Sequence, residues 1–99
     1  MDLEALEDAA NQPFGKGDLT VAGRALTKHA AEQRGTSPFP PLSGNNININ
    51  QTAQQQVDEI LNSPNANFRK LGRGGIEARL PDGRGVRFNK DGSLSGFVD

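Results

Sequence analysis

The chain has no cysteine, tryptophan or tyrosine, only one histidine, and no long apolar run. Each absence excludes a class of chemistry. Without cysteine there is no disulfide framework and no thiolate metal site. That suits a reducing cytosol, and equally a cargo that must unfold and cross membranes without cross-links. With a single histidine, an imidazole metal site has no second ligand of its kind, so no metal or cofactor is expected. No stretch approaches the about 20 apolar residues of a membrane span, and the N-terminus lacks the basic-then-apolar order of a signal peptide. A core must be built from Leu, Ile, Val, Ala and five Phe.

At 99 residues, one domain is expected. Twelve glycines favour a turn-rich sheet over a helical bundle. The net charge of −1 conceals an asymmetry: "MDLEALED" at the start carries four acids and no base, and the remaining chain has eleven bases against eight acids. Between positions 69 and 90 lie Arg69, Lys70, Arg73, Arg79, Arg84, Arg87 and Lys90, against only Glu77 and Asp82. Such a basic third fits a phosphate-bearing partner. It fits a solvated sheet face equally well.

Patterning divides the chain into helices followed by strands. "LEALEDAANQ" has helical composition but is short, and "PFGKGD" breaks it. Asp18 is a suitable N-cap for a helix running to about Arg34, with Gly35 ending it. "TSPFPPLSGNNININ" reads as a long irregular loop. A second helix spans about 52–62, where Ala53, Val57, Ile60 and Leu61 share a face and Ser63-Pro64 stops it. From Phe68 the period becomes two. "GGIEARL", "GVRFN" and "LSGFV" alternate around "PDG" and "KDG", both hairpin signals. The expected class is α+β: N-terminal helices followed by a three- to four-stranded antiparallel sheet, the fourth strand being "NFRKL" if it pairs.

The lone histidine falls within "RALTKHAAEQRG". At 100° per residue, Leu19, Ala22, Ala25, Leu26 and Ala30 share one side of the helix, and His29 projects between Ala25 and Leu26. Gln33 continues the stripe, so the apolar face turns polar at its C-terminal end, toward a cleft at the sheet's margin. A structural histidine bonded to backbone explains this as well as a functional one does. In the sheet, Ile76, Ala78 and Leu80 point one way, with Glu77 and Arg79 on the other face. Val86 and Phe88 leave Arg87 on that polar face, which Ser95 joins, and Phe97 is its one aromatic candidate. These groups could form an anion site, or merely cross-strand ion pairs. If the helix packs on the Ile76 face, His29 can reach the polar face only over an edge.

The segments "GKGDLTVAGRALTKHA", "VDEILNSP" and "GGIEARLPDGRGVRFNKDGSLSGFVD" together resemble the C-terminal toxin domains of bacterial polymorphic toxins of the contact-dependent growth-inhibition and Rhs types. The similarity covers about residues 15–99, with "GRALTKHA" and "PDGRGVRF" its most specific parts. The resemblance implies the barnase–EndoU–colicin–RelE ribonuclease fold, in which helices precede a four-stranded antiparallel sheet. It implies a metal-independent endoribonuclease acting on RNA, often transfer RNA, in the cytoplasm of a target bacterium. It further implies secretion within a larger effector, a cognate immunity protein, and in some cases a host translation factor as activator. Residues 1–14 then read as linker or short helix, and 15–99 as the nuclease domain. A two-histidine mechanism is excluded here. "GKGD" is too incomplete to be a phosphate loop.

Metal-free RNA cleavage needs a base for the ribose 2′-hydroxyl, cations for the phosphoryl charge and an acid for the departing 5′-oxygen. An imidazole with an ordinary pKa of about 6.5 serves either proton role at neutral pH. On the resemblance, His29 takes that role with Glu77 as partner, and Arg79 and Arg87 stabilise the phosphorane. Arg24, Lys28, Arg69, Lys70, Arg73 and Arg84 would hold backbone phosphates. The alternatives are a non-catalytic nucleic-acid or protein binding module, and a deoxyribonuclease, for which the acids are too scattered.

Overall fold

Helices fill the first part of the chain and strands the last third. A computed structural model describes residues 2–33 and 35–99. Its elements are α1 (Leu3–Ala10), α2 (Val21–Glu32), α3 (Asn46–Asn62), β1 (Asn67–Lys70), β2 (Ile76–Arg79), β3 (Gly85–Phe88) and β4 (Leu94–Val98). The strands form one antiparallel meander in the order β1-β2-β3-β4. This is the expected α+β arrangement, with "NFRK" supplying the fourth strand.

The three hairpin turns use one device. In each, a residue donates across the turn, Leu71 N–H to Gly75 O (2.8 Å), Leu80 N–H to Arg84 O (2.8 Å) and Asn89 N–H to Ser93 O (2.8 Å), and its own carbonyl accepts from the N–H of the loop's last residue. The residue before the return is a glycine at positive φ, Gly74 (90°), Gly83 (101°) and Gly92 (90°). That is the αL position a three-residue hairpin loop requires, at little steric cost only to glycine. "GRG" therefore turns as "PDG" and "KDG" do.

Helix starts differ from expectation for local reasons. Thr20, not Asp18, caps α2, its Oγ1 accepting from Gly23 N–H at 3.0 Å. Asn50 of α3 holds that entry: its Oδ1 accepts from Thr20 N–H (2.9 Å) and its Nδ2 donates to Asp18 O (2.8 Å). Gly23 lies so near that a Cβ there would collide with the Asn50 side chain. The helix end expected at Arg34 lies outside the described residues. α3 starts at Asn46 instead of 52, because Asn45 and Asn48 each accept from the other's backbone N–H in a reciprocal cap.

All three helices pack on one face of the sheet. Ala78, Val86, Phe88, Leu94 and Phe97 meet Leu26 of α2 and Ala53, Val57, Ile60 and Leu61 of α3, with Leu6 and Ala10 of α1 joining the same core. The acidic N-terminal segment is thus a packed helix. Truncating one of these fully buried side chains, such as Leu26, costs about 2–5 kcal/mol. Ala30, projected onto the apolar stripe, is exposed.

One irregularity matters for the site. Arg87 pairs with Gly96 but Phe88 pairs with Leu94, so Ser95 is an extra residue in β4. This bulge shifts the alternation by one. Phe97 consequently turns into the core at 5% exposure, not onto the polar face.

Candidate functional site

The polar face of the sheet is organised around one carboxylate. Arg69, Glu77 and Arg87 stand in register across β1, β2 and β3. Glu77, only 3% exposed, accepts from Arg69 Nε (3.0 Å), Arg79 Nε (3.3 Å) and Arg87 Nε (2.8 Å). The hydrogen bond from Arg69 does most to depress its carboxyl pKa, burial opposes this, and Arg79 and Arg87 add to the lowering, leaving it at about 2. A carboxyl held there has no proton to give near neutrality. The cluster remains cationic, since three guanidiniums face one carboxylate.

Arg84 is placed differently. Its Nη1 donates to Gln56 Oε1, Nη2 to Glu59 Oε1 and Nε to Asp82 Oδ2, each at 2.8 Å, and its side chain is 14% exposed. It ties the β2–β3 turn to α3, and each of its three nitrogens already has a protein partner. Lys70 is exposed at the end of β1, opposite Ile76.

His29 lies on the helix side of the sheet, in the last turn of α2, where its ring is edge-on to Phe39 (5.4 Å between centroids) and Phe39 is edge-on to Phe97 (5.3 Å). Nε2 is buried and approaches Asp99 Oδ1 to 3.3 Å, without the alignment of a hydrogen bond. Catalytic contacts are often this loose before substrate arrives. For Nδ1 no protein acceptor is found among the described residues. The ring borders a cleft whose other walls include Ala25, Lys28, Glu32, Ser95 and Gly96. His29 makes no contact with Glu77, Arg79 or Arg87, so the structure does not assemble those four as one cluster.

The two groups approach each other around β4, an edge strand. Ser95, exposed on the bulge, lines the His29 cleft. It also lines a cleft of about 400 Å³ formed with Arg73, Arg87, Asn89 and Lys90. A third hollow, with Phe14, Arg24 and Lys28, reaches Ser95 as well. Among the described residues, five cations therefore line the clefts that meet at Ser95, with Glu32 the one acid. Arg73, Lys28 and Lys90 form no ion pair among the described residues, and Arg87 engages Glu77 through Nε, leaving its Nη donors free. Lys90 was counted in the basic third but given no site role, because it looks like an ordinary turn residue, and the bulge escaped sequence reasoning because it has no compositional mark.

A wider hollow of about 640 Å³ lies elsewhere, between the start of α2 and α3, lined by Asn11, Thr20, Ile47, several amides and Asp58. Among the described residues its lining has no cation and no histidine, so size is a poor guide to the chemistry here. Among the described residues no group of three His, Cys, Asp or Glu side chains could hold a metal ion.

Two comparisons bear on this arrangement. The model of one family, the CdiA C-terminal tRNase toxin domain, matches residues 7–99. Among solved structures, the chain is similar to the toxic C-terminal tip of CdiA from Pseudomonas aeruginosa in complex with an immune protein. It shares 35% identity with that tip at a TM-score of 0.70, over 93% of this chain and 99% of that one. No curated protein matches.

Proposed function

This chain belongs to the family of CdiA C-terminal tRNase toxin domains, and we propose that it cuts tRNA over the edge of β4 with His29 as its proton carrier. It is an antibacterial toxin domain and an endoribonuclease by that membership. The observation that carries the siting is Ser95: one exposed residue borders both the His29 cleft and the Arg73–Arg87–Lys90 cleft. A phosphodiester lying across it meets a proton carrier on one side and free guanidinium and ammonium donors on the other.

The reaction then runs as an internal displacement. His29 takes the 2′-hydroxyl proton, and the 2′-oxygen attacks the neighbouring phosphorus. The bond to the 5′-oxygen breaks, leaving a 2′,3′-cyclic phosphate, and the leaving oxygen takes its proton from solvent. Arg87 and Lys28 stabilise the added phosphoryl charge in a partly desolvated cleft. Asp99 orients the imidazole as the contact tightens. Arg24, Arg73 and Lys90 hold flanking phosphates. Glu77 positions Arg69, Arg79 and Arg87 instead of moving protons, and Arg84 is structural.

The CdiA tip of the solved complex is bound by an immune protein. We extend that to this chain: a cognate, acidic immunity protein covers the β4 edge and excludes RNA by occupancy. The domain is delivered within a larger effector and acts where tRNA is, in the target cytoplasm. The test is purified protein mixed with total tRNA, with and without EDTA. Cleavage by the protein alone, insensitive to EDTA and leaving cyclic phosphate ends, is expected. Cleavage only with EDTA absent contradicts the metal-free scheme. A requirement for added cell extract would instead point to a host translation factor as activator.

A further inference from the structure

The hollow beside the His29 cleft contains an aromatic ring that the scheme above does not use. Phe14 is 48% exposed, more than any other of the five phenylalanines. The backbone that carries the ring is held in place. Phe14 N–H donates to Leu19 O (2.9 Å), Val21 N–H donates to Gln12 O (2.8 Å), and Pro13 and Thr20 form a bridge between those bonds. Asn50 fixes the same loop through Asp18 and Thr20. The guanidinium of Arg24 stands over the ring, 5.7 Å from its centroid.

The rest of the hollow has the same mixed character. Val21 and Leu94 give it apolar walls, Arg24 and Lys28 give it positive charge, and it encloses about 200 Å³. It shares Ala25, Lys28 and Ser95 with the His29 cleft, so the two are adjoining compartments. A half-exposed ring on a fixed backbone, beside cationic side chains, is the combination by which proteins hold an unpaired base, through stacking plus backbone charge.

We propose that Phe14, with Arg24, forms a nucleobase subsite that stacks the base next to the cleaved phosphodiester. The inference rests on the siting of the ribonuclease centre at Ser95 and His29. It adds that the substrate strand is unpaired there and that one base leaves the RNA stack to lie on Phe14. Stacking tolerates every base, so the subsite selects unpaired loops over helical stems, and only secondarily one base over another.

The absence of Trp and Tyr makes the test clean. A Phe14→Trp substitution in a His29→Ala background carries a single indole at the subsite and binds RNA without cutting it. Titration with a labelled single-stranded oligoribonucleotide gives overall binding from anisotropy and base contact from indole quenching. Quenching that saturates with the anisotropy is expected. In the cutting protein, Phe14→Ala should lower kcat/KM on tRNA roughly 10- to 100-fold, Phe14→Leu should recover little, and Phe14→Tyr should restore most of it. Unchanged melting of Phe14→Leu separates loss of stacking from loss of fold. Binding by anisotropy with a silent indole, and cleavage by Phe14→Ala within twofold, overturns the subsite and leaves the ribonuclease centre standing. No RNA binding at all overturns both. A Phe14→Ala protein that cuts normally but loses its immunity protein makes the ring a protein contact and overturns the proposal.

Discussion

The arginines of the outer sheet face and the cations around β4 have the same composition and opposite circumstances. On the face, Arg69, Arg79 and Arg87 converge on Glu77, whose carboxyl is held at about 2 by their hydrogen bonds. Around the β4 edge, Lys28, Arg73 and Lys90 form no ion pair among the described residues, and Ser95 is exposed beside them. The first region uses its charge to hold strands together. The second keeps its charge available. Arg87 belongs to both, anchored through Nε and free at Nη, which fixes a donor in place before any phosphate arrives. Arg84, three residues away on the same hairpin, has all three of its nitrogens bonded, to Gln56, Glu59 and Asp82. A count of basic residues therefore overstates the phosphate-binding surface.

The largest effect expected from breaking this contrast is catalytic. His29→Ala should lower the rate of tRNA cleavage about 10²–10⁴-fold, the usual contribution of a proton-transfer group. Its melting temperature should change little, because the side chain is only partly buried and its Asp99 contact is unaligned. A folded variant that cuts at the wild-type rate removes His29 from the chemistry.

Glu77→Ala comes next and acts on stability instead. It strands three guanidiniums around an empty position and should cost about 1–3 kcal/mol in denaturant unfolding, toward the lower end because the arginines are partly wet. The folded fraction should still cut tRNA, more slowly because Arg87 loses its anchor, but without the loss expected of a proton carrier. The same group gives a pH signature. Its folded pKa lies below the ordinary value of 4.5, so its stabilisation is complete above about pH 4.5 and is lost as pH falls toward about 2. Glu77→Gln should flatten that acid limb, and a limb of unchanged steepness would show that other carboxylates produce it.

The smallest effects separate Arg84 from the β4 edge. Arg84→Ala should destabilise by roughly 1 kcal/mol while leaving the salt dependence of RNA binding alone. Arg73→Ala and Lys90→Ala should do the reverse, each lowering the slope of log affinity against log salt by about one. Equal slopes for all three variants would mean that the pairing of Arg84 does not decide what RNA meets.

Much of the fold was legible because it is local. Period-two segments around "PDG" and "KDG" specify hairpins, and the alternation of Ile76, Ala78, Val86 and Phe88 identifies the buried face. The start of α3 was not, since "NNININ" has loop composition and becomes helical through a reciprocal Asn cap and the tie from Asn50 to the α2 entry. At the site, helical projection put His29 at the sheet's margin, where it is found. The partners of the arginines were hidden, because Glu59 is 25 positions from Arg84 and only tertiary packing joins them. The bulge was hidden too. Strict alternation assigns Phe97 to the polar face, and one unpaired residue, Ser95, reverses that.

Ser95 is also where the central claim is most exposed to test. The measurement is kcat/KM for tRNA cleavage by Ser95→Asp beside Lys70→Asp, two exposed positions on the same sheet that lie on and off the β4 edge. A carboxylate at Ser95 faces the incoming phosphodiester directly, and like charges brought together cost several kcal/mol, so a loss on the order of 100-fold or more is expected. Lys70→Asp removes more positive charge from the molecule but should cost less than about tenfold, through weakened long-range attraction alone. Equal losses in the two variants, or a greater loss at Lys70, would contradict cleavage at the β4 edge.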